Sequence, residues 1–241
     1  MKLSRIQTLG VSLFVAVLSL GGCSDGGSGA GAQPGAANGP PIVVDADGNT
    51  NFDLDRLRNQ MNAMPLGTIS AAEQAGLEYM REEEKLAHDV YIAMDALWQQ
   101  NTFANIALSE LTHTEAVLML LQRYAIDDPV GANPAGVFVD ATLQGLYDVL
   151  VARGSASLID ALMVGAEVEE IDLLDLEDRL AEVVANEDIV LVYENLMRGS
   201  RNHLRAFVRA LSQQNIIYQP QYLSQAVYDE IINSPNETGA P

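Results

Sequence analysis

The stretch SELTHTEAV, residues Ser109 to Val117, places a glutamate and a histidine three positions apart in a run that otherwise resembles a buried helix. Side chains three or four positions apart lie on one face of a helix. Glu110 and His113 therefore share a face, and Ile106 lies on the same apolar stripe. We expect both polar groups to point into the protein core, where an unpaired carboxylate or imidazole is costly.

The chain around this stretch has helical periodicity throughout and predicts four long helices with short accessory ones. The first helix begins at a capping box, Ser70 with Glu73 three residues later. From the spacing of apolar residues, the long helices span about residues 70–99, 102–124, 158–184 and 188–212. Start and stop signals predict short helices at about residues 141–153 and 225–232.

Connection lengths indicate how these helices are arranged. Only a few residues join helix one to helix two and helix three to helix four, so each pair is predicted to form an antiparallel hairpin. Between helices two and three lie about 33 residues, which is enough to cross the length of a bundle. The sequence thus predicts an all-α fold, a ferritin-like four-helix bundle with a long crossover between helices two and three.

The N-terminal segment MKLSRIQTLGVSLFVAVLSLGGC has two basic residues, a short apolar run and small residues before Cys23, the only cysteine of the chain. The apolar run is too short to span a membrane and is typical of a signal peptide. Its end, LGGC, resembles a bacterial lipobox, in which the cysteine is lipidated and becomes the first residue after cleavage. We predict a lipoprotein signal peptide over residues 1–22 and lipidation at Cys23. The alternative is an ordinary secretory signal followed by a free thiol.

This N-terminus predicts an exported protein that is anchored to a membrane and faces the periplasm or the cell exterior. Residues 23–42, rich in Gly, Ala and Pro, predict a flexible tether. The remaining boundaries place an irregular lead-in at residues 43–66, a helical domain at residues 67–234 and a disordered tail at residues 235–241. The outer helix faces show no decisive apolar patch, so the sequence predicts no oligomeric state.

Acidic residues greatly outnumber basic ones, 33 against 13, which gives a net charge of −20. A chain of this charge repels phosphate backbones, so we expect no nucleic-acid partner. It attracts cations, although most of these carboxylates are expected to be solvated surface. The charge alone does not establish a metal site.

Helical wheels place further acids and a second histidine on inward faces. The predicted inward-facing set consists of Glu83, Glu110, His113, Glu169, Asp172 and His203. Neighbouring acids fall elsewhere on the same wheels: Glu84 at the edge of its stripe, and Glu82, Glu167 and Glu170 facing away. Each inward residue has a structural alternative, since a lone core histidine is more often hydrogen-bonded than bound to a metal.

Convergence of these residues from four helices favours a metal site. Four carboxylates buried together without counterions would repel one another and lose hydration worth several kcal/mol each. Two divalent cations would balance the four charges, and neutral His113 and His203 would complete the coordination. This oxygen-rich set with imidazoles suits iron or manganese better than thiolate-preferring metals.

Longer segments around these residues resemble a known family. EYMREEEKLAHDVY, SELTH, VGAEVEEIDLLDLE and VYENLMRGSRNHLRAFVRAL, followed by YQPQYLS, are similar to a prokaryotic ferritin-like family, the domain of unknown function 2202 (DUF2202). The resemblance covers nearly all of residues 70–230. The wider ferritin-like superfamily carries a glutamate on helix one, Glu-x-x-His on helix two, a glutamate on helix three and Glu-x-x-His on helix four, and binds two metals. The matching residues here are Glu83, Glu110, His113, Glu169 and His203.

The fourth helix departs from this scheme, because Ser200 stands where the superfamily has a glutamate. Asp172, on the same inward face as Glu169, could supply the lost carboxylate, as an extra helix-three acid does in rubrerythrin-like proteins. If it does not, the site holds one metal or none.

Three functions are compatible with the sequence. The first is a di-iron or di-manganese oxidoreductase that reacts with dioxygen or peroxide, or oxidises ferrous iron, outside the cytoplasm. The second is a metal-binding or storage module without turnover. The third is a metal-free helical lipoprotein that acts through protein contacts and whose buried acids are merely hydrogen-bonded. Fold alone does not choose among them, and no substrate can be inferred from the sequence.

Overall fold

The computed structural model describes residues 39–45 and 47–238 of the chain. These residues form a two-stranded antiparallel hairpin and seven helices. In chain order the elements are β1 (Ile42–Val44), β2 (Thr50–Phe52), α1 (Leu54–Ala63), α2 (Ala71–Trp98), α3 (Asn101–Arg123), α4 (Ala141–Gly154), α5 (Leu158–Glu182), α6 (Glu187–Gln213) and α7 (Gln225–Asn233). The predicted signal peptide, Cys23 and most of the predicted tether lie outside the described residues.

The four long helices α2, α3, α5 and α6 pack as a bundle. Helix α2 packs along α3 and α5 packs along α6, and the two pairs join through contacts of α2 with α5 and of α3 with α6. The capping box of Ser70 and Glu73 opens α2. Gln99 ends it in a left-handed conformation, with φ of 50°, which allows the sharp turn into α3. The predicted all-α four-helix bundle is confirmed.

The long crossover between the second and third bundle helices is confirmed as well. It contains α4, which is capped by Asp140 and contacts both α2 and α5. Helix α5 then begins after Ser157, whose hydroxyl accepts a hydrogen bond from the backbone N–H of Asp160. Since the crossover covers the α2 and α5 side of the bundle, outward-facing residues of those helices are not all exposed to solvent.

Buried apolar side chains form two clusters within the bundle. One contains the packed rings of Tyr91 and Phe207, whose centroids are 5.2 Å apart. The other contains Tyr193 and the second half of α3. On α3, the first cluster includes Ile106 and the second includes Val117, and the polar residues lie between them. The inward-facing polar groups therefore occupy the middle of the bundle, shielded by apolar side chains.

The prediction of an irregular lead-in at residues 43–66 is wrong. Strands β1 and β2 pair there in antiparallel register, with Ile42 opposite Phe52, and α1 follows with Asp53 as its N-cap. Strand β2 packs against α3 and α6. Strands of three residues are too short to show an alternating pattern, so periodicity cannot detect them.

The prediction of a disordered tail is also wrong for residues 235–238. Helix α7 packs on α6, and Glu237 beyond it accepts hydrogen bonds from Arg201 at 2.7 and 2.6 Å. Arg205 contacts the same carboxylate at 3.2 Å. Residues 239–241 lie outside the described part of the chain.

Among the described helices, none has the length and apolar character needed to cross a membrane.

Candidate metal centre

Two neighbouring acids of α2 enter the core. Glu83 and Glu84 are only 3% and 1% exposed. The prediction that Glu84 lies at the edge of its stripe is wrong, because it follows buried Met80 by four residues and precedes buried Ala87 by three. Its Oε2 lies 3.4 Å from Nδ1 of His113. Glu84 therefore belongs to the candidate site together with Glu83.

Glu110 and His113 lie one turn apart on α3 and form a buried ion pair. Oε2 of Glu110 is 2.8 Å from Nδ1 of His113. The other ring nitrogen, Nε2, lies 2.8 Å from the carbonyl oxygen of Thr50 in β2. Because a carbonyl oxygen can only accept a hydrogen bond, Nε2 carries a proton and Nδ1 is the nitrogen that faces the carboxylates.

His203 of α6 lies on the opposite side of Glu110. Its Nδ1 is 2.8 Å from Oε1 of Glu110 and 3.6 Å from Oε2 of Glu169. The rings of His113 and His203 are stacked, with centroids 5.3 Å apart and planes 17° from parallel. Potential ligand atoms of Glu110, His113 and His203 all lie within 4.8 Å of one another. These three residues form a compact set that could hold a metal ion.

Two acids of α5 complete the cluster, and hydroxyl groups hold both of them. The phenol of Tyr91 donates a hydrogen bond of 2.5 Å to Oε1 of Glu169. The hydroxyl of Ser200 donates to Oδ2 of Asp172. Asp172 on α5 is thus held by a side chain of α6. We name Glu83, Glu84, Glu110, Glu169 and Asp172 the inner acids.

Burial and mutual repulsion raise the pKa values of several inner acids. For Glu83, burial followed by the charge of Asp172 raises the pKa well above its ordinary value. For Asp172, burial followed by the charge of Glu84 has the same effect on the pKa. Burial, partly offset by His113, raises the pKa of Glu84 to about 7. Without a cation, these carboxyl groups resist ionisation.

The histidines respond to the same charges in the opposite sense. Burial alone would lower the pKa of His203, but Glu110 and Glu169 raise it to about 9. His113 also has a raised pKa, because Glu110 and Glu84 outweigh its burial. Burial would raise the pKa of Glu110, yet the two imidazoles hold it well below its ordinary value. The raised pKa values of the imidazoles favour their protonated forms, which balance part of the charge of the inner acids.

Several polar atoms at the centre of the bundle lack hydrogen-bond partners among the described residues. They are both carboxylate oxygens of Glu83, Oε1 of Glu84, Oδ1 of Asp172 and both ring nitrogens of His203. Nδ1 of His203 lies close to Glu110, but the two groups are not oriented as a hydrogen bond requires. Buried polar groups in proteins are normally paired, so an unsatisfied cluster of this size needs an explanation. Carboxylate oxygens and imidazole nitrogens are ligands that iron and manganese accept. The donor set fits such ions.

The three acids predicted to face away do point away from the centre of the bundle, but the expectation that they are solvated is wrong. Glu82, Glu167 and Glu170 are 3%, 7% and 0% exposed. We name them the outer acids, because segments outside the four-helix bundle cover them. Glu82 accepts hydrogen bonds from the backbone N–H groups of Val139 and Asp140 in the crossover. Its carboxylate holds the start of α4 against α2.

Glu170 holds the segment before α7 in the same way. Its carboxylate accepts the hydroxyl of Tyr218 at 2.6 Å and the backbone N–H groups of Tyr222 and Leu223 at 2.7 and 2.8 Å. The N–H of Gln221 donates to it as well, at 3.0 Å. Glu167 instead pairs with Arg153 of α4. The outer acids therefore anchor chain segments and are not available to a metal.

Sequence reasoning missed three contributors to the site. Glu84 could have been found, because its spacing from Met80 and Ala87 is that of the apolar stripe. Tyr91, seven residues after Glu84, lies two turns further along the same face. The carbonyl of Thr50 left no signal, since it is a backbone group on a three-residue strand.

The fold and the site define a class, an all-α helical bundle with a buried carboxylate and histidine cluster at its centre. The chain belongs to the family described as "Uncharacterized protein domain (DUF2202)", which matches residues 73–235. The predicted resemblance to this family is confirmed.

Uncharacterized protein MJ0754 of Methanocaldococcus jannaschii is similar to this chain. It is 49% identical over 179 residues, which are 74% of this chain and 96% of the relative. A crystal structure of the hypothetical protein MJ0754 from Methanococcus jannaschii DSM 2661 matches with a TM-score of 0.70 at 50% identity. The match covers 72% of this chain and 99% of the crystallised one.

Proposed function

We propose that the protein is an exported lipoprotein with a ferritin-like dimetal site that acts as a di-iron or di-manganese oxidoreductase or as a ferroxidase-type protein. The observation that carries this proposal is the convergence of the five inner acids with two imidazoles, all of them buried. Five carboxylates in a dry core are costly unless cations or protons compensate them. Two divalent ions would offset most of that charge.

Each of the four bundle helices contributes residues suited to hold such ions. Glu110 lies between the two imidazoles, so its two oxygens can serve two positions. His113 and His203 provide one nitrogen each, and Glu84 lies on the His113 side of the cluster. Asp172, positioned by Ser200, supplies the carboxylate that the fourth helix lacks.

The surrounding protein favours chemistry with small oxidants. Iron or manganese held here would supply electrons to dioxygen or peroxide, or would accept them from ferrous iron. Tyr91 holds Glu169 in place through its phenol and closes the site toward an apolar cluster that contains Phe207. Since His203 is 0% exposed and Glu110 is 2% exposed, bulk water is excluded from the site.

Metal content and redox cycling test the proposal. The detergent-solubilised full chain, loaded with ferrous iron without oxygen, should contain about two metal ions per molecule by mass spectrometry. Peroxide or dioxygen should then change the absorbance reversibly through repeated cycles with a reductant. Metal uptake without consumption of oxidant would indicate a storage module, and metal content near zero would leave a metal-free interaction protein.

A pair of variants tests whether the oxidant-dependent absorbance change arises at the candidate metal centre. His113→Ala should lower metal content and abolish the oxidant-dependent absorbance change. Glu177→Ala is the control, because Glu177 is an exposed acid of α5. Glu82→Ala is unsuitable as a control, because Glu82 anchors the crossover.

The proposed membrane location rests on the LGGC sequence and the tether that follows it. Lipidation of Cys23 would hold the helical domain at a membrane facing the periplasm or the cell exterior. Cys23→Ala should release the protein from membranes and prevent lipid labelling. Unchanged membrane association would refute the lipoprotein assignment without affecting the metal proposal.

A further inference from the structure

We propose that the N-terminal β-hairpin, residues 42–52, is part of the metal centre and determines which nitrogen of His113 faces the carboxylates. This inference rests on the proposed function. The hairpin precedes residues 73–235, which the family matches. Its strand β2 nevertheless packs against α3 and α6, the two helices that carry the candidate histidine ligands.

Two residues of β2 fix the position of the His113 ring. The carbonyl oxygen of Thr50, a fully buried residue, lies 2.8 Å from Nε2. The ring of Phe52 meets the imidazole edge-on, with centroids 5.6 Å apart and planes 88° apart. The carbonyl fixes the proton on Nε2 and the phenyl ring restricts rotation of the imidazole, so Nδ1 is left as the nitrogen able to bind a metal.

The hairpin is held by the residues next to both histidines. On α3, the hydroxyl oxygen of Thr112 accepts a 2.9 Å hydrogen bond from the N–H of Phe52. On α6, the amide of Asn202 donates a 2.9 Å hydrogen bond to the hydroxyl of Thr50. Each of these two helices thus directs its histidine to the cluster and the preceding polar residue to the hairpin, which couples the hairpin to the site.

Helix α6 confines the His113 ring from another direction. A Cβ atom added at Gly199 would lie 2.5 Å from Cε1 and 2.8 Å from Nε2 of His113. Only a residue without a side chain leaves room for the imidazole there. The ring is therefore enclosed by the backbone of α6 and by the hairpin, with the inner acids at its Nδ1 atom.

Ring-nitrogen NMR of His113 tests this inference in the ¹⁵N-labelled, detergent-solubilised full chain, both metal-free and loaded with zinc as a diamagnetic probe. The wild type should show a slowly exchanging proton on Nε2, and zinc should shift Nδ1. Two variants disturb the hairpin: Thr112→Val, and replacement of residues 42–52 by a Gly/Ser linker of equal length. In both, the ring proton should exchange faster and zinc affinity should fall by about 10- to 100-fold.

Thr142→Val is the matched control, because it makes the same substitution as Thr112→Val at an exposed threonine of α4, outside the hairpin and the cluster. It should leave proton exchange and zinc affinity unchanged. Should the linker variant fail to fold by circular dichroism, Thr112→Val decides alone. Zinc bound to His113 through Nε2 would overturn the inference. It would also be overturned if the ring proton exchanged at the wild-type rate and zinc bound with the wild-type affinity in every folded hairpin variant. If the wild type binds no metal, the proposed function fails, and exchange of the ring proton still decides whether the hairpin positions His113.

Discussion

Glu82 and Glu83 are neighbours on α2 and are equally buried, each at 3% exposure, yet their surroundings differ. Glu82 accepts two backbone N–H groups from the crossover, at Val139 and Asp140. Neither oxygen of Glu83 has a donor among the residues that the structure describes. Burial alone therefore does not identify a site acid. The number of hydrogen-bond donors around the carboxylate distinguishes the two acids.

Helix α5 repeats the contrast one residue apart. Glu170 receives the N–H groups that precede α7 together with the phenol of Tyr218. Glu169 faces His203 and the other inner acids, with the phenol of Tyr91 as its hydroxyl donor. The outer acids are satisfied by the chain itself, whereas the inner acids require protons or metal ions.

The largest effect is expected for the best-satisfied outer acid. Glu170→Ala removes the acceptor for three backbone N–H groups and one hydroxyl. The free energy of unfolding should fall by about 3 to 5 kcal/mol, because these donors lose a charged partner. Urea denaturation followed by circular dichroism measures this loss, which should be equal with and without metal. Glu177→Ala, at an exposed position, serves as the control. An unchanged free energy of unfolding in Glu170→Ala would contradict the distinction between inner and outer acids.

Smaller effects, of opposite sign to each other, are expected for Glu82 and Glu83 on α2. Glu83→Met replaces a buried carboxylate by an apolar chain of similar length, so the metal-free protein should gain about 2 kcal/mol of stability. The same variant should bind less metal. Glu82→Met should lose about 2 kcal/mol, because two N–H groups lose their acceptor, and should bind metal normally. Thermal unfolding measures the stability of both variants, and metal analysis measures their metal content. Equal changes in stability and metal content in the two variants would contradict the assignment of Glu83 as an inner acid and Glu82 as an outer acid.

The last comparison is of the metal-free and metal-loaded protein as pH changes. Burial raises the pKa of Glu84 from 4.5 to about 7, and Glu110 and Glu169 raise the pKa of His203 from 6.5 to about 9 despite its burial. The metal-free fold thus binds more protons than the unfolded chain, so its stability should fall as pH rises from about 5 to 9. Metal-loaded protein should show the opposite slope, because ions replace the protons.

Urea unfolding at intervals over this range, with chelator or with manganese, measures both slopes. Below about pH 4.5 the trend should reverse in metal-free protein, since His113 and His203 hold the pKa of the buried Glu110 below its ordinary value and its contribution is lost on protonation. Metal-free protein that becomes more stable between about pH 5 and 9 would show that the inner acids are not strained by their burial.

The sequence predicted the bundle because its signals are local and strong. Ser70 and Glu73 form the expected capping box, and connection lengths determine which helices are neighbours. The inward positions of Glu110 and His113 followed from the same periodicity. Glu84 was misplaced, since a wheel that averages over 28 residues does not resolve adjacent positions near the edge of a stripe.

The outer acids and the hairpin could not be predicted for a different reason. Glu82 and Glu170 look solvated on a wheel because the wheel contains only their own helix, and the segments that cover them lie 57 and 52 residues away in the chain. The contact of Thr50 with His113 spans 63 residues and uses a backbone carbonyl. Such long-range partners leave no periodic pattern.

Gly199 has a consequence for how members of this family vary. An alanine inside a helix is about 1 kcal/mol more favourable than a glycine, so selection for stability alone would favour replacing it. The imidazole of His113 fills the space that a side chain at Gly199 would need. Substitutions at the two positions should therefore be linked during evolution, and a relative that has lost the histidine is free to carry a larger residue here. The pair is a sequence marker that separates members with the histidine site from members that use the same bundle for another purpose.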